Sequence, residues 1–125
     1  MATHPKGVVL LVDDEDDLRD SLQDELEAAG YLVLAARDGV EALPRMRGLT
    51  VPTVAVIDLV MPRMNGWQLL EAMQQDSTLR EIPVIVITAQ DPPSPLPAGT
   101  RVVKKPFVSP RLRLTIDALW AERYT

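Results

Sequence analysis

The sequence predicts a doubly wound α/β fold built on a five-stranded parallel sheet. Three observations carry this expectation. Short apolar runs recur along the chain, segments with helical spacing lie between them, and the runs stop abruptly at polar residues. Short apolar runs, where rich in β-branched residues, are how strands covered on both faces read. Strands alternating with helices imply right-handed crossovers and hence parallel pairing.

Val8 to Val12 is the first such run, and Asp13 and Asp14 end it. Leu18, Leu22, Leu26 and Ala29 then recur at helical spacing, with Gly30 placed to stop the helix. Tyr31 to Ala35 is expected as the second strand. Asp38 can cap a helix containing Ala42 and Leu43, which Pro44, lacking an amide donor, should keep short or bent. Val54 to Ile57 is the third run, ending at Asp58. A loop through Met61, Pro62, Arg63, Met64, Asn65 and Gly66 follows, and Trp67, Leu69, Leu70 and Met73 suggest the next helix. Pro83 to Ile87 is the fourth strand, ending at Thr88. Val102 and Val103 form a short fifth, ending at Lys104-Lys105-Pro106. Ser109 is expected to cap a last helix with Pro110 at its first position, a favoured start. Leu112, Ile116 and Leu119 give that helix its apolar face. Residues 1–125 are expected to form one domain.

Composition narrows the function. Hydrophobic residues make up 46% of the chain, enough for a core, and the net charge of −5 argues against a basic nucleic-acid footprint. Without cysteine there is no disulfide framework and no thiolate metal site. Met1 to Gly7 lacks the apolar run of a signal peptide, and no stretch approaches the roughly 20 residues that span a bilayer. A cytoplasmic monomer or weak dimer, with no membrane or direct nucleic-acid partner, is the expectation.

In doubly wound sheets, ligands bind at the carboxyl ends of the strands. Asp13-Asp14, Asp58, Thr88 and Lys104-Lys105 all stand at such ends, and so share one edge of the sheet. Three carboxylates crowded there repel one another unless a cation intervenes. Oxygen ligands suit Mg²⁺, a lysine ammonium suits a phosphate, and a threonine hydroxyl can donate to the same group. The set describes a site for a metal-bound oxyanion, with one carboxylate available as nucleophile. Taken singly, each residue has a plainer reading. Asp13 and Asp14 suit a turn or a helix cap, Asp58 a strand end, Thr88 ordinary strand chemistry, and Lys105 a surface charge. Asp16, Asp17, Asp20 and Asp24 read as the wet face of the first helix, and His4 as part of a tail. Met61 and Met64 read as loop packing, and Trp67 and Trp120 as anchors at the core's edge.

Asp13-Asp14, then Asp58 followed by Met61-Pro62 and Asn65-Gly66, then Thr88-Ala89, then Lys105-Pro106-Phe107 resemble the motif set of bacterial response-regulator receiver domains. The resemblance covers nearly the whole chain and implies a flavodoxin-like fold related to chemotaxis regulators. It implies that Asp58 accepts a phosphoryl group, that Asp14 binds Mg²⁺ (or Mn²⁺) directly and Asp13 mainly through water, and that the backbone carbonyl of Val60 completes the protein ligands. Asp58 would itself join the metal's coordination. Thr88 would hydrogen-bond the phosphoryl oxygens. Lys105 would pair with them in preference to Lys104, since the family's lysine precedes the proline. The implied donor is a sensor histidine kinase or a phosphotransfer protein, the output protein is unknown, and the chain is not expected to be an enzyme.

Two departures stand out. The family usually carries Tyr or Phe three residues before the lysine, where this chain has Val102, too small and stiff for the usual aromatic switch. Between Thr88 and Lys105 the family fits a full helix. Here Pro92, Pro93, Pro95 and Pro97 crowd the segment, and each interior proline costs a helix about 3 kcal/mol. The fourth helix is therefore expected to be missing or replaced by an extended, proline-rich crossover. Both departures favour an alternative, a degenerate receiver that binds partners constitutively. A haloacid-dehalogenase-type phosphatase is disfavoured because Val60 stands where that family needs a second Asp. A flavin or nucleotide binder is disfavoured because no glycine-rich loop follows the first strand.

Overall fold

A computed structural model describes residues 7–61, 63–89, 91–92, 95–105 and 111–124. The apolar runs form β1 (Val8–Val12), β2 (Leu32–Ala36), β3 (Thr53–Asp58), β4 (Val84–Thr88) and β5 (Arg101–Lys104). All pairings are parallel, in the order β2-β1-β3-β4-β5. The connecting helices are α1 (Asp16–Ala28), α2 (Gly39–Arg47), α3 (Gly66–Gln74) and α4 (Arg111–Tyr124), with a 3-10 turn at Leu79–Glu81. From β1 the chain turns one way to β2 and the other way to β3. The switch point of the sheet therefore lies between the ends of β1 and β3, where Asp13 and Asp58 stand.

Helices cover both faces, which is why the inner strands are apolar throughout rather than alternating. Leu10, Val12, Ala55 and Ile57 point toward Met46, Leu69 and Met73 of α2 and α3. Val9, Leu11, Val54 and Val56 point toward Leu22 and Leu26 of α1 and Ile116 of α4. Asp16, Asp17, Asp20 and Asp24 lie on the exposed face of α1, as expected. Met61 is buried, and Met64, Trp67 and Trp120 pack at the edges of the two core clusters, also as expected.

Gly30 ends α1 with φ 104°, and the amides of Gly30 and Tyr31 donate back to Glu27 and Leu26. This is the closure that a glycine at that position allows. It also displaces the second strand. Tyr31 is spent on the helix end, so β2 runs one residue later than the sequence pattern suggests. The Tyr31 ring is buried edge-on to Trp120, and its hydroxyl donates to Asp117. Asp38 caps α2 by accepting from the Glu41 amide at 3.0 Å, and the helix keeps Pro44 inside its nine residues.

Among the described residues no helix lies between β4 and β5. The connection instead lays Leu96 against the cluster beneath α2 and α3, and turns into β5 at Gly99, φ 85°. The fifth strand is Arg101–Lys104, slightly longer than its two valines, and Val102 is exposed. No helix among the described residues is long and apolar enough to cross a membrane. His4, Pro62, Gln90, Pro93, Ser94, Pro106, Phe107 and the proposed helix start at Ser109 and Pro110 lie outside the described residues.

Candidate functional site

The parallel register sets the site. β1 and β3 pair through Val12 and Ile57, so Asp13 and Asp58 leave the sheet side by side. Carboxylate oxygens of Asp13, Asp14 and Asp58 lie within 4.8 Å of one another. Asp13 is fully buried and Asp58 nearly so, while Asp14 is exposed. Backbone donors aim two of these groups. Asp13 Oδ1 accepts from the Glu15 amide at 2.8 Å, and Asp58 Oδ1 accepts from the Val60 amide at 3.1 Å. Arg19 of α1 donates to the Asp13 carbonyl at 2.8 Å and so ties the helix to the strand end.

Across the sheet, β4 and β5 pair Thr88 with Lys104, and the Lys105 amide donates to the Thr88 carbonyl at 2.7 Å. That register turns Lys105 inward. Its ammonium lies 3.0 Å from Asp13 Oδ2, 3.2 Å from Asp58 Oδ2 and 3.3 Å from Glu15. Lys104 turns outward to Asp91 at 2.9 Å, so Lys105 is the lysine of the site. A cleft of about 540 Å³ opens at these groups, lined by Asp14, Asp58, Thr88 and Lys105 together with Val60, Trp67 and Asp91.

The electrostatics follow from burial. Asp58 is pushed above the ordinary carboxylate range by burial and by the charge of Asp13, which the Val60 amide and Lys105 only partly offset. Burial alone would lower the Lys105 ammonium, but hydrogen bonding and charge from Asp13 and Asp58 outweigh it and hold its pKa above the usual lysine value.

The loop after Asp58 is the tightest place in the site. A Cβ on Gly66 would lie 2.4 Å from the Asp58 carbonyl oxygen and 2.6 Å from Leu59 Cα, so only glycine lets α3 start there. Asn65 and Gln68 close a reciprocal cap at the same helix start. Arg63 adopts φ 61°, a left-handed conformation costing a non-glycine residue on the order of 1–2 kcal/mol. Its guanidinium grips Asp38 Oδ2, through Nε at 2.7 Å and Nη2 at 2.6 Å.

The sequence places Asp13, Asp14, Asp58, Thr88 and Lys105 together, and the structure does the same, with Val60 lining the cleft. It adds Glu15, Arg19, Asp91 and the Asp38–Arg63 pair. Asp38 was legible as a cap, but its partner lies 25 residues away, and no local pattern links the two.

A family model of the response regulator receiver domain matches residues 9–117. The chain belongs to this family. The response regulator MprA of Mycobacterium leprae (strain TN) is 37% identical over 116 residues, covering 89% of this chain and 50% of that protein. The chain spans about half the length of the curated relatives it matches. Among solved structures, the signal receiver domain of a signal transduction histidine kinase from Syntrophus aciditrophicus superposes with a TM-score of 0.83. It is 25% identical and covers 94% of this chain and 92% of that one. The chemotaxis response regulator CheY4 of Vibrio cholerae gives a TM-score of 0.80 at 29% identity, over 94% of this chain and 99% of that one. This is therefore a receiver domain of two-component signalling, in a family whose members work with histidine kinases or phosphotransfer proteins.

Receiver domains generally bind Mg²⁺ at an acidic pocket, and the residues present here fit such an ion. Three carboxylates converge, and the buried Asp13 Oδ2 has no well-aligned hydrogen-bond partner among the described residues, although the Lys105 charge is close. One ammonium faces three converging carboxylates, so a divalent cation would neutralise the charge that Lys105 alone leaves uncompensated.

Proposed function

We propose that this receiver accepts a phosphoryl group on Asp58 from a phosphohistidine of a sensor kinase or phosphotransfer protein. The observation that supports it best is the Asp58 carboxylate. It is buried at the switch point, aimed by the Val60 amide, faced by Lys105 at 3.2 Å and flanked by two further carboxylates. In the transfer, a carboxylate oxygen of Asp58 forms the new bond to phosphorus as the bond to the donor imidazole nitrogen breaks. The electron pair of that bond stays with the imidazole, which takes up a proton.

Asp13, Asp14, Asp58 and the Val60 carbonyl would hold Mg²⁺ or Mn²⁺, which supplies charge neutralisation to the phosphoryl oxygens. The chain's own residues do the rest. Lys105 pairs with a phosphoryl oxygen from the far side of Asp58, and the Thr88 hydroxyl donates to another. Positioning and neutralisation are most of what phosphoryl transfer requires. The chain acts as a stoichiometric acceptor rather than as a turnover enzyme.

The test is intact-mass analysis after treatment with acetyl phosphate and Mg²⁺. We expect the mass of one phosphoryl group, lost in Asp58→Ala. Label that persists in Asp58→Ala moves the site elsewhere. No label on the unaltered chain favours a second reading, a receiver that binds partners constitutively. The exposed Val102 and the lack of a described helix between β4 and β5 support that reading.

A further inference from the structure

The Asp38–Arg63 pair lies beside the acidic site but belongs to none of the roles above. Asp38 is buried, with 2% of its surface exposed, at the turn between β2 and α2. It is already committed to capping α2. Arg63 sits in the loop between β3 and α3, which carries Val60 and begins at Asp58. Both residues line a second cleft, of about 420 Å³, together with Asp14, the exposed carboxylate of the site. Asp14 thus lines both this cleft and the one above Asp58.

The loop is fixed at its ends by the Gly66 amide, which donates to the Leu59 carbonyl at 3.0 Å. Met61 anchors its first half in the core, and its second half is held against the turn at Asp38 and Gly39. The Gly39 amide donates to the Met64 carbonyl at 2.9 Å, and Met64 packs so closely that a Cβ on Gly39 would meet its side chain at 2.5 Å. Beside this contact, Arg63 adopts its left-handed backbone with two of its three guanidinium nitrogens, Nε and Nη2, on one oxygen of Asp38. An unfavourable backbone conformation persists where its surroundings over-determine it. A buried carboxylate facing a guanidinium is such a surrounding.

We infer that Asp38 and Arg63 form a clamp that holds the loop after Asp58 in the shape required to bind the cation, making Arg63 a positioning residue for the metal. The inference rests on the metal site of the proposed function. Preorganisation of this kind acts through ligand geometry, so its loss weakens the metal more than it weakens the fold. Arg63 is half exposed and touches none of the acidic groups in an ion pair other than Asp38 among the described residues, which separates it from the ligands themselves.

The experiment is a Mg²⁺ titration of the whole unphosphorylated chain, read as the rise in melting temperature with metal concentration. Arg63→Ala removes the guanidinium. Asp38→Asn removes the charge but keeps a good helix cap. Each is expected to raise the Mg²⁺ dissociation constant about tenfold, the lower end of what lost outer-shell partners cost. The double variant should be no worse than either alone, because both break one contact. Arg63→Lys should recover part of the loss, and Arg63→Gly, which relaxes the backbone without restoring the grip, should not. Arg63→Ala within twofold of the unaltered chain overturns the clamp, as does full affinity in Arg63→Gly. A chain that shows no Mg²⁺ response even unaltered overturns the metal reading and the clamp with it, whereas a normal unaltered response with unaffected variants overturns the clamp alone.

Discussion

Lys105 reaches across from the end of β5 to place its ammonium 3.2 Å from Asp58 Oδ2, yet the charged form of Asp58 remains disfavoured. Burial and the neighbouring Asp13 outweigh the lysine. An acid whose pKa is raised on folding contributes stability that is present below its unfolded value, near 3.8, and lost as pH rises through its folded value. At neutral pH the ionised Asp58 therefore works against the metal-free fold.

Asp58→Asn should accordingly stabilise the metal-free protein at pH 7. The gain should shrink as pH falls through the raised folded value of Asp58, where Asp58 itself takes up a proton. Urea midpoints of both proteins, measured from pH 7 to pH 4 with a chelator present, check this. Equal midpoints at pH 7 would mean that Lys105 compensates Asp58 fully.

Asp38 behaves in the opposite sense. Burial opposes its charge, but the Glu41 amide and the Arg63 guanidinium overcome that and hold its carboxyl below the ordinary carboxylate range. A depressed pKa contributes stability that is present above the unfolded value, near 3.8, and lost as pH falls through the folded value. Asp38→Ala should cost about 1–2 kcal/mol at pH 7, the range for a lost helix cap, and the difference from the unaltered chain should narrow below pH 4. Urea unfolding across that window is the measurement. A cost that stays constant down to pH 3 would show that packing, not charge, holds this turn.

The strand ends were readable because burial on both faces imposes apolar runs, and a polar residue must then mark where each run leaves the core. Asp13, Asp58, Thr88 and Lys105 each do this, so topology alone brought them to one edge. The proline-crowded crossover was equally legible, since proline lacks the donor that a helix interior needs. Tyr31 misled because an apolar aromatic beside Leu32 reads as strand, while its amide is consumed in closing α1 at Gly30. The Asp38–Arg63 pair left no local pattern at all. It depends on two loops meeting in space, and spacing rules see only one loop at a time.

Gly66 gives a sharp steric test. In a helix, alanine is favoured over glycine by up to about 1 kcal/mol. Here its Cβ would press on the Asp58 carbonyl oxygen at 2.4 Å and on the Leu59 backbone, neither of which can swing away. Overpacking against fixed atoms typically costs about 1–3 kcal/mol. Gly66→Ala should therefore lower stability by about 1–2 kcal/mol net in urea unfolding. A variant as stable as the parent would show that α3 can pull back from β3 freely.

If Asp58 is phosphorylated as proposed, the change must reach the surface without the usual helix after β4. A phosphoryl group on Asp58 adds charge of about −1.5 to −2 at neutral pH. Asp91 lines the same cleft and is held by Lys104, whose backbone pairs with Thr88 in the β4–β5 register. Two consequences follow. Thr88 is drawn toward the phosphoryl oxygens, and Asp91 is repelled from them. Both act on the connection that begins at Ala89, which packs on the core through Leu96 rather than through a helix face. Coupling between sites typically amounts to about 1–3 kcal/mol. Amide hydrogen exchange with and without a beryllofluoride mimic of the phosphoryl group should therefore show altered protection from Ala89 to Ala98 and little change at Val102 and Val103. Asp91→Asn should reduce that response, since it removes the repelled charge while leaving Thr88 unchanged. If protection changes stay confined to the loops after Asp14 and Asp58, this connection does not carry the signal, and constitutive partner binding becomes the better account of the domain.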